Sequence, residues 1–505
     1  MYIQPNSTIK LYKNVPLDTT YEHTLWFDNV SAQNNYFHNN SAILLQTFDG
    51  QTYQRVVKGE MTLGVNAESI YTCNYLAFRN TAFGAKWFYA FVTSVEYVSN
   101  TASKLTFEID VMQTYLFDVT LKECFVEREH SAYDYVGSNI VTENIDIGPI
   151  ICNAISKTGH FDSYVAVIAS AHSSNGSTTG GYKGGLFSGV NYIPCLIDNP
   201  EQVQNALDYL KLLVDANKQD SVVSIFLMPS KFYPTDSHVS VQVNKVAKNT
   251  NLHGYTPKNK KLLTYPYNYL QVECGNNSAN YRYEWFSTDT CNFAMFGTIS
   301  CNPQISLQPQ GYNGVDSDSF NQNEQLVMDG FPQVAWSIDS FRAWLAQDAS
   351  GSAINGIASV ASLLTGALTG NIGMTTSGAL GVAGNANSML NALNRSPQAS
   401  GTNSGTIDVA NRDKDFYFRQ MQVTQEYARM IDEYFDKFGY ATREVKKPNR
   451  NVRKQWTYTK TNGCIVVGNA PSDDVRRICE IYDKGITFWK NANNVGNYEL
   501  DNSPV

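Results

Sequence analysis

The hydrophobic and polar pattern of the first 125 residues reads as strands, with a period of two clearest near its end. In "KLTFEIDVMQTYLF", Leu105, Phe107, Ile109 and Val111 fall on one side, the pattern of a half-buried strand. "KWFYAFVTSVEYV" precedes it across the turn-rich "SNTAS", so the pair predicts a β-hairpin. Glu108 and Asp110 then take the opposite, solvent-facing side, which accounts for both without a catalytic carboxylate pair.

From about 126 to 335 the periodicity is mixed. "NPEQVQNALDYLKLLVDANKQ" predicts a helix, with Val203, Ala206, Leu207 and Leu210 at helical spacing and Glu201 in the first turn. "SVVSIFLMPSKFYP" predicts a buried strand ending at Pro234. "SSNGSTTGGYKGGLFSG" (173–189) reads as a mobile surface loop. Its Gly176 and Gly181 have phosphate-loop spacing, but Tyr182 stands where that motif requires Lys.

The longest departure from ordinary patterning runs from Ala349 to Asn394, which contains no Asp, Glu, Lys, Arg or His. Helix candidates flank it: "SIDSFRAWLAQDA", with Ile338, Phe341 and Leu345, and "RDKDFYFRQMQVTQEYARMIDEYFDKFGY". The second aligns Tyr427, Met430, Ile431, Tyr434, Phe435 and Phe438 on one face, with Gly439 placed to end it. "SPQASGTNSGT" (396–406) forms a linker between the run and this helix. A disordered linker would carry fewer Leu, Ile, Val and Met, and a core element would not need the run's eight Gly.

Membrane interaction fits better. A helical crossing takes about 20 predominantly apolar residues, so the run has room for a hairpin of two. Ala358, Ser362, Gly366 and Gly370 recur every four residues, as do Gly384, Ser388 and Ala392, a spacing that lets helices approach closely in lipid. Asn355, Asn371, Asn385, Asn387, Asn391 and Asn394 are costly in hydrocarbon, which favours conditional insertion over a constitutive span. The apolar and small residues assigned to this membrane-active loop are Ile354, Ile357, Ala358, Val360, Ser362, Leu363, Leu364, Gly366, Leu368, Gly370, Ile372, Met374, Leu380, Val382, Gly384, Met389, Leu390 and Leu393.

The last sixty residues return to strand-like text in "KQWTYTK", "GCIVVGN" and "ICEIYDKGITFWK". Before them, Arg443, Lys446, Lys447, Arg450, Arg453 and Lys454 form the one dense basic cluster. It is open to phosphate contact or to a subunit interface or solvated face.

Composition narrows these readings. The chain has 505 residues, enough for two to four domains. Its 31 Tyr and 25 Phe favour a mainly β, β-rich α+β fold. A net charge of -8 argues against a dedicated nucleic-acid binder. The nine Cys are scattered without metal-ligand or redox spacing, so single buried thiols made in a reducing cytosol are expected, with no metal and no cofactor. The N-terminus has neither a basic region nor an apolar stretch, so no secretory signal is expected.

Several stretches in order along the chain resemble one known family. "KWFYAFVTSVEY", "LTFEIDVMQTYLF", "FVEREH", "TYPYNYLQVE", "FDKFGYATREVKKPNRNVRKQWTYTKTNGCIVVGN" and "IYDKGITFWKNANNVGNYEL" are similar to tail-knob, or distal tail-tube, proteins of small short-tailed phages of the Picovirinae type. The resemblance is slight between about 131 and 260. It implies a virion structural protein made in the host cytoplasm, not an enzyme. It also implies a hexameric ring of tail-tube-like β domains with a middle knob, joined to collar or proximal-tube and tip proteins. Hydrophobic loops would plug the lumen, then enter the host membrane as DNA passes without specific binding. The run 349–394 matches those loops. An acidic conduit would place the basic cluster at an interface rather than in the channel.

The expected organisation is an N-terminal wall domain (1–125), a middle knob (126–335), a helix with loop and linker (336–410), and a C-terminal helix with wall strands (411–505). Two rival readings are a tail-associated host-binding adhesin or cell-wall hydrolase with its activity in the middle domain, and a free pore-forming toxin.

Overall fold

Period-two segments such as Phe88–Ser99 and Ala102–Ile109 become strands, and the protein is mostly β. The computed structural model describes residues 6–505 apart from 52–58, 82–83, 85, 173–180, 184–185, 197–198, 234–240, 276, 301–302, 332 and 335–413. It divides into two compact units. Unit 1 comprises Met1–Gly148, Gly254–Leu262 and Gln425–Val505; unit 2 comprises Pro149–His253 and Leu263–Thr424.

Unit 1 holds a six-stranded sheet in the order Leu44–Gln51, Ser7–Lys13, Cys73–Asn80, Phe88–Ser99, Ala102–Ile109 and Glu60–Leu63. The predicted hairpin is the Phe88–Ser99/Ala102–Ile109 pair, with Phe91 opposite Glu108. Its second strand stops one residue before Asp110. Asp110 is therefore buried instead of solvent-facing, and Val111 begins a helical turn, Val111–Thr114. Asp110 caps that turn by accepting from Met112 N and Gln113 N at 3.0 and 3.1 Å, and it also accepts from Tyr75 Oη at 2.8 Å. Burial raises its pKa to about 6, against those hydrogen bonds. Glu108 pairs with Arg477.

A second sheet of unit 1 joins both ends of the sequence in the order His23–Leu25, Ile486–Trp489, Trp456–Asn462, Cys124–Glu129 and Tyr440–Lys446. Trp456 and Trp489 are fully buried in its core with ring centroids 5.0 Å apart. Here "ICEIYDK" is helix, within Ser472–Lys484, and only "ITFW" is strand. Ile478, Ile481 and Tyr482 recur at helical spacing, Asp473 and Asp474 favour the N-terminal turn, and Gly485 at φ 101° stops it.

Among the described residues, unit 2 is built from three four-stranded sheets and a small hairpin. One sheet runs Ile150–Lys157, Tyr417–Val423, Asn268–Cys274, Asn277–Tyr281. The others run Asn191–Leu196, Tyr164–Ser170, Val222–Pro229, Gln333–Val334 and Val241–Ala247, Thr290–Thr298, Gln304–Pro309, Leu326–Met328. The predicted helix is Pro200–Asp215; Ala206, Tyr209 and Leu213 pack with Ile168 and Ile225. The side chains of Val203, Leu207 and Leu210 lie outside the described set. The buried strand ends at Pro229, where a 3-10 turn begins, and not at Pro234, which is outside the described residues. Within 173–189, Gly181–Lys183 and Leu186–Ser188 pair as a hairpin, so that stretch is not loop throughout.

The division of the chain differs from the one the sequence suggests. Residues 126–148 belong to unit 1, and Tyr417–Val423 is a strand of unit 2, not the start of a long helix. The helix itself is Gln425–Phe438, burying Ala428, Ile431, Asp432, Phe435 and Asp436, while Met430 is exposed. Gly439 ends it at φ 65°, where a Cβ would strike the Glu129 carbonyl.

Candidate functional site

The stretch 349–394, with every residue assigned to the membrane-active loop, lies outside the described residues, as does the helix expected at 337–349. Its roots are described. On the entering side, Phe331 is buried in the unit 2 core and Val334 pairs with Ile225. On the returning side, Lys414 Nζ donates to the carbonyls of Asp329 and Gly330 at 2.6 and 2.9 Å, with the ammonium 4.7 Å from the Phe331 ring centroid. Chain entering and leaving 335–413 is therefore tied together by one side chain.

Asp415 adds a second tie. One carboxylate oxygen accepts from Phe416 N at 2.7 Å and from Thr158, and the other accepts from Gly159 N at 3.0 Å. Phe416 and Phe418 are buried in the same core as Phe331. From there Tyr417–Val423 enters its sheet between two antiparallel neighbours, Ile150–Lys157 and Asn268–Cys274. Sequence reading missed this root. The signal was "DFYFRQMQV", whose run of three aromatics, followed by polar residues and a β-branched Val423, has strand composition before any helical spacing begins.

The basic cluster in unit 1 is largely occupied internally. Lys446 Nζ lies 2.6 Å from Glu129, which is 2 % exposed and also accepts from Asn449 N and Nδ2 at 2.7 and 2.8 Å. Burial raises the Glu129 pKa, and Lys446 and Asn449 oppose it. Arg450 sits over Trp26, 4.9 Å from the ring centroid. Arg453 is buried, with Nη1 donating to Asn502 O at 3.4 Å and lying 3.9 Å from Asp134. Lys454 meets exposed Asp501 at 3.0 Å. Arg443 and Lys447 are exposed, and neither forms an ion pair with another described residue.

Beneath the cluster lies a buried polar network that sequence reading did not find. Glu143 binds Arg128, Lys261 Nζ at 2.5 Å and Ala441 N at 2.8 Å. Asp432 accepts from Tyr255 Oη, Lys258 N and Asn259 N at 2.7–2.9 Å. Tyr440 Oη donates to Asp134 at 2.7 Å. His130 is enclosed: Nδ1 accepts from Tyr458 N at 2.7 Å and Nε2 meets Asp436 O at 3.1 Å. Burial, then Arg453, holds its pKa down to about 3. These groups are spent on each other, so the network is structural in character.

Among the described residues no group of His, Cys, Asp and Glu is arranged to hold a metal, and no helix is long and apolar enough to cross a membrane.

Comparison with known proteins supplies the family context. Residues 231–503 match the family described as the C-terminal domain of tail knob protein gp9 of Bacillus phage phi29, and residues 5–120 match the caudoviral major tail protein N-terminus. Tail knob protein gp9 of Bacillus phage B103 is 25% identical, and that of phage phi29 is 24% identical, each over 98% of both chains. The tail knob protein gp12 of bacteriophage C1 has a similar fold, with a TM-score of 0.59 at 16% identity, covering 97% of this chain and 98% of that one.

Proposed function

The chain belongs to the phage tail knob protein family represented by gp9 of Bacillus phage phi29, and from that premise we propose that it forms the distal conduit through which DNA leaves the virion. A structural role in the phage tail is common to this family. The finer reading is a homo-hexameric tube, attached to collar or proximal-tube and tip proteins, whose lumen passes DNA without binding it specifically. The run Ala349–Asn394 plugs that lumen, then penetrates the host membrane ahead of the genome.

The tied root of 335–413 carries this reading. A segment that must leave water needs its ends held while its middle is displaced, and Lys414 and Asp415 hold both ends in unit 2. The uncharged, small-residue character of the run supports a membrane destination. The net charge of -8 suits a wall past which DNA slides. Arg443 and Lys447, the two exposed cluster cations without an internal ion pair among the described residues, are the ones left for a neighbouring subunit.

A liposome leakage assay across pH tests the membrane step, comparing the full protein with one lacking 349–394. Leakage from the full protein alone supports it, and equal leakage from both sinks it. Ring counting by electron microscopy checks the stoichiometry.

A further inference from the structure

Three cysteines far apart in sequence converge at one end of the five-stranded sheet in unit 1. Cys124 opens the Cys124–Glu129 strand, Cys464 follows Trp456–Asn462, and Cys479 lies in Ser472–Lys484. The backbone brings the first two together. Asn462 opposes Phe125 and Val466 opposes Leu121, which sets 463–464 against 123–124. Lys122 N donates to Ile465 O at 2.9 Å across the same interval.

Asp483 brings in the third. It stands one helical turn beyond Cys479 on the same face. Its Oδ1 accepts from Cys464 N at 3.0 Å and from Thr461 Oγ1 at 2.7 Å, which fastens the Cys464 loop onto the helix. Cys464 and Cys479 pack against the same core, and Cys464 and Cys124 each feel the charge of the neighbouring thiols. Cys124 is buried, whereas Cys464 and Cys479 are half-buried and within reach of a small oxidant.

We infer that Cys464 and Cys479 form an oxidative modification site, closing to an intramolecular disulfide with hydrogen peroxide once the protein has left a reducing cytosol. One thiolate attacks the peroxide O–O bond, giving a sulfenic acid and releasing hydroxide. The second thiolate displaces hydroxide from the sulfenic sulfur and forms the S–S bond. With the two thiol protons taken up by the two hydroxides, two thiols and one peroxide become one disulfide and two waters. Cys124 is sealed inside and remains a thiol. The bond would tie the Ser472–Lys484 helix to the end of the Trp456–Asn462 strand. Burial pushes all three thiols up, so thiolate is scarce at neutral pH and the reaction accelerates in alkali.

The test uses the full-length protein carrying Cys152→Ser, which removes an exposed thiol that could link molecules. After peroxide at neutral and mildly alkaline pH, free thiols are blocked with N-ethylmaleimide and unreduced tryptic peptides are mapped by mass spectrometry. Arg476 and Arg477 provide cuts between the two cysteines. A Cys464–Cys479 cross-linked peptide is expected, forming about tenfold faster for each unit of pH below the thiol pKa values. It should persist in Cys124→Ser and vanish in Cys479→Ser. Recovery of Cys464 and Cys479 as separately blocked or over-oxidised thiols overturns the inference, as does a Cys464–Cys124 link in its place.

Discussion

Each unit docks a piece of chain that returns from far along the sequence, and the two do so by different physics. Unit 1 receives 254–262 through a polar clasp: Asp432 accepts from Tyr255, Lys258 and Asn259, while Lys261 is buried against Glu143. Unit 2 receives Tyr417–Val423 by strand insertion, with a hydrogen-bonded ladder on either edge and Phe416 and Phe418 in the core. A clasp fixes position through few groups, each aimed at one partner, so losing one leaves a buried charge or donor unmatched. A ladder spreads its hold along the backbone, which side-chain substitution leaves in place.

That contrast can be broken. The largest effect is expected from Glu143→Ala, which strands Lys261 in a buried site and should cost about 4 kcal/mol. Hydrogen exchange followed by mass spectrometry should show 254–262 and 440–446 opening while unit 2 keeps its protection. Uniform loss across both units would refute the local clasp. Phe418→Ala removes a ring 5.3 Å from that of Phe293 and should cost about 3 kcal/mol through its cavity. The ladder around Tyr417–Val423 should still exchange last in unit 2; early release of that strand would defeat the insertion argument.

Acidification sharpens the comparison further. The His130 pKa falls from 6.5 to about 3 in the folded protein, so below 6.5 the unfolded chain takes up a proton that the folded one refuses. Its contribution is complete above that pH and drains away as pH falls toward about 3. Asp110, raised from 3.8 to about 6, acts in the opposite sense, since its folded form keeps a proton that the unfolded form releases. The isolating measurement is denaturant stability against pH for wild type and His130→Asn. The variant should lose less stability on acidification, and parallel curves would remove His130 from the account. The smallest effect is expected at Lys454→Ala, whose pair with Asp501 is solvent-exposed and should be worth about 0.5 kcal/mol or less.

Period-two patterning was legible where one face of a strand is buried, as in Phe88–Ser99 and Ala102–Ile109. It misled at the ends. Asp110 continues the alternation in the sequence but caps the next helical turn, because two backbone N–H groups there need an acceptor. "ICEIYDK" mixes β-branched and aromatic residues like a strand, yet its apolar positions fall three and four apart. The pairings that build the candidate site were not legible. Lys414 gripping the carbonyls at 329–330, and Glu143 meeting both Arg128 and Lys261, join residues whose proximity only the fold creates. The same is true of the three thiols. The cations at 443–454 could be seen as a cluster, but not that Arg453 is buried while Arg443 is exposed.

The Cys124–Glu129 strand sits between Trp456–Asn462 and Tyr440–Lys446 in its sheet. Both neighbours are encoded more than half a chain later, so the strand leaves the ribosome with two vacant edges. At about 5–20 residues per second, tens of seconds pass before either partner emerges. Through that interval its backbone groups are open to any passing chain. Nascent chains of this protein should therefore expose an unpaired strand edge to one another on the polysome, a hazard that chaperone cover over the middle of the reading frame would relieve.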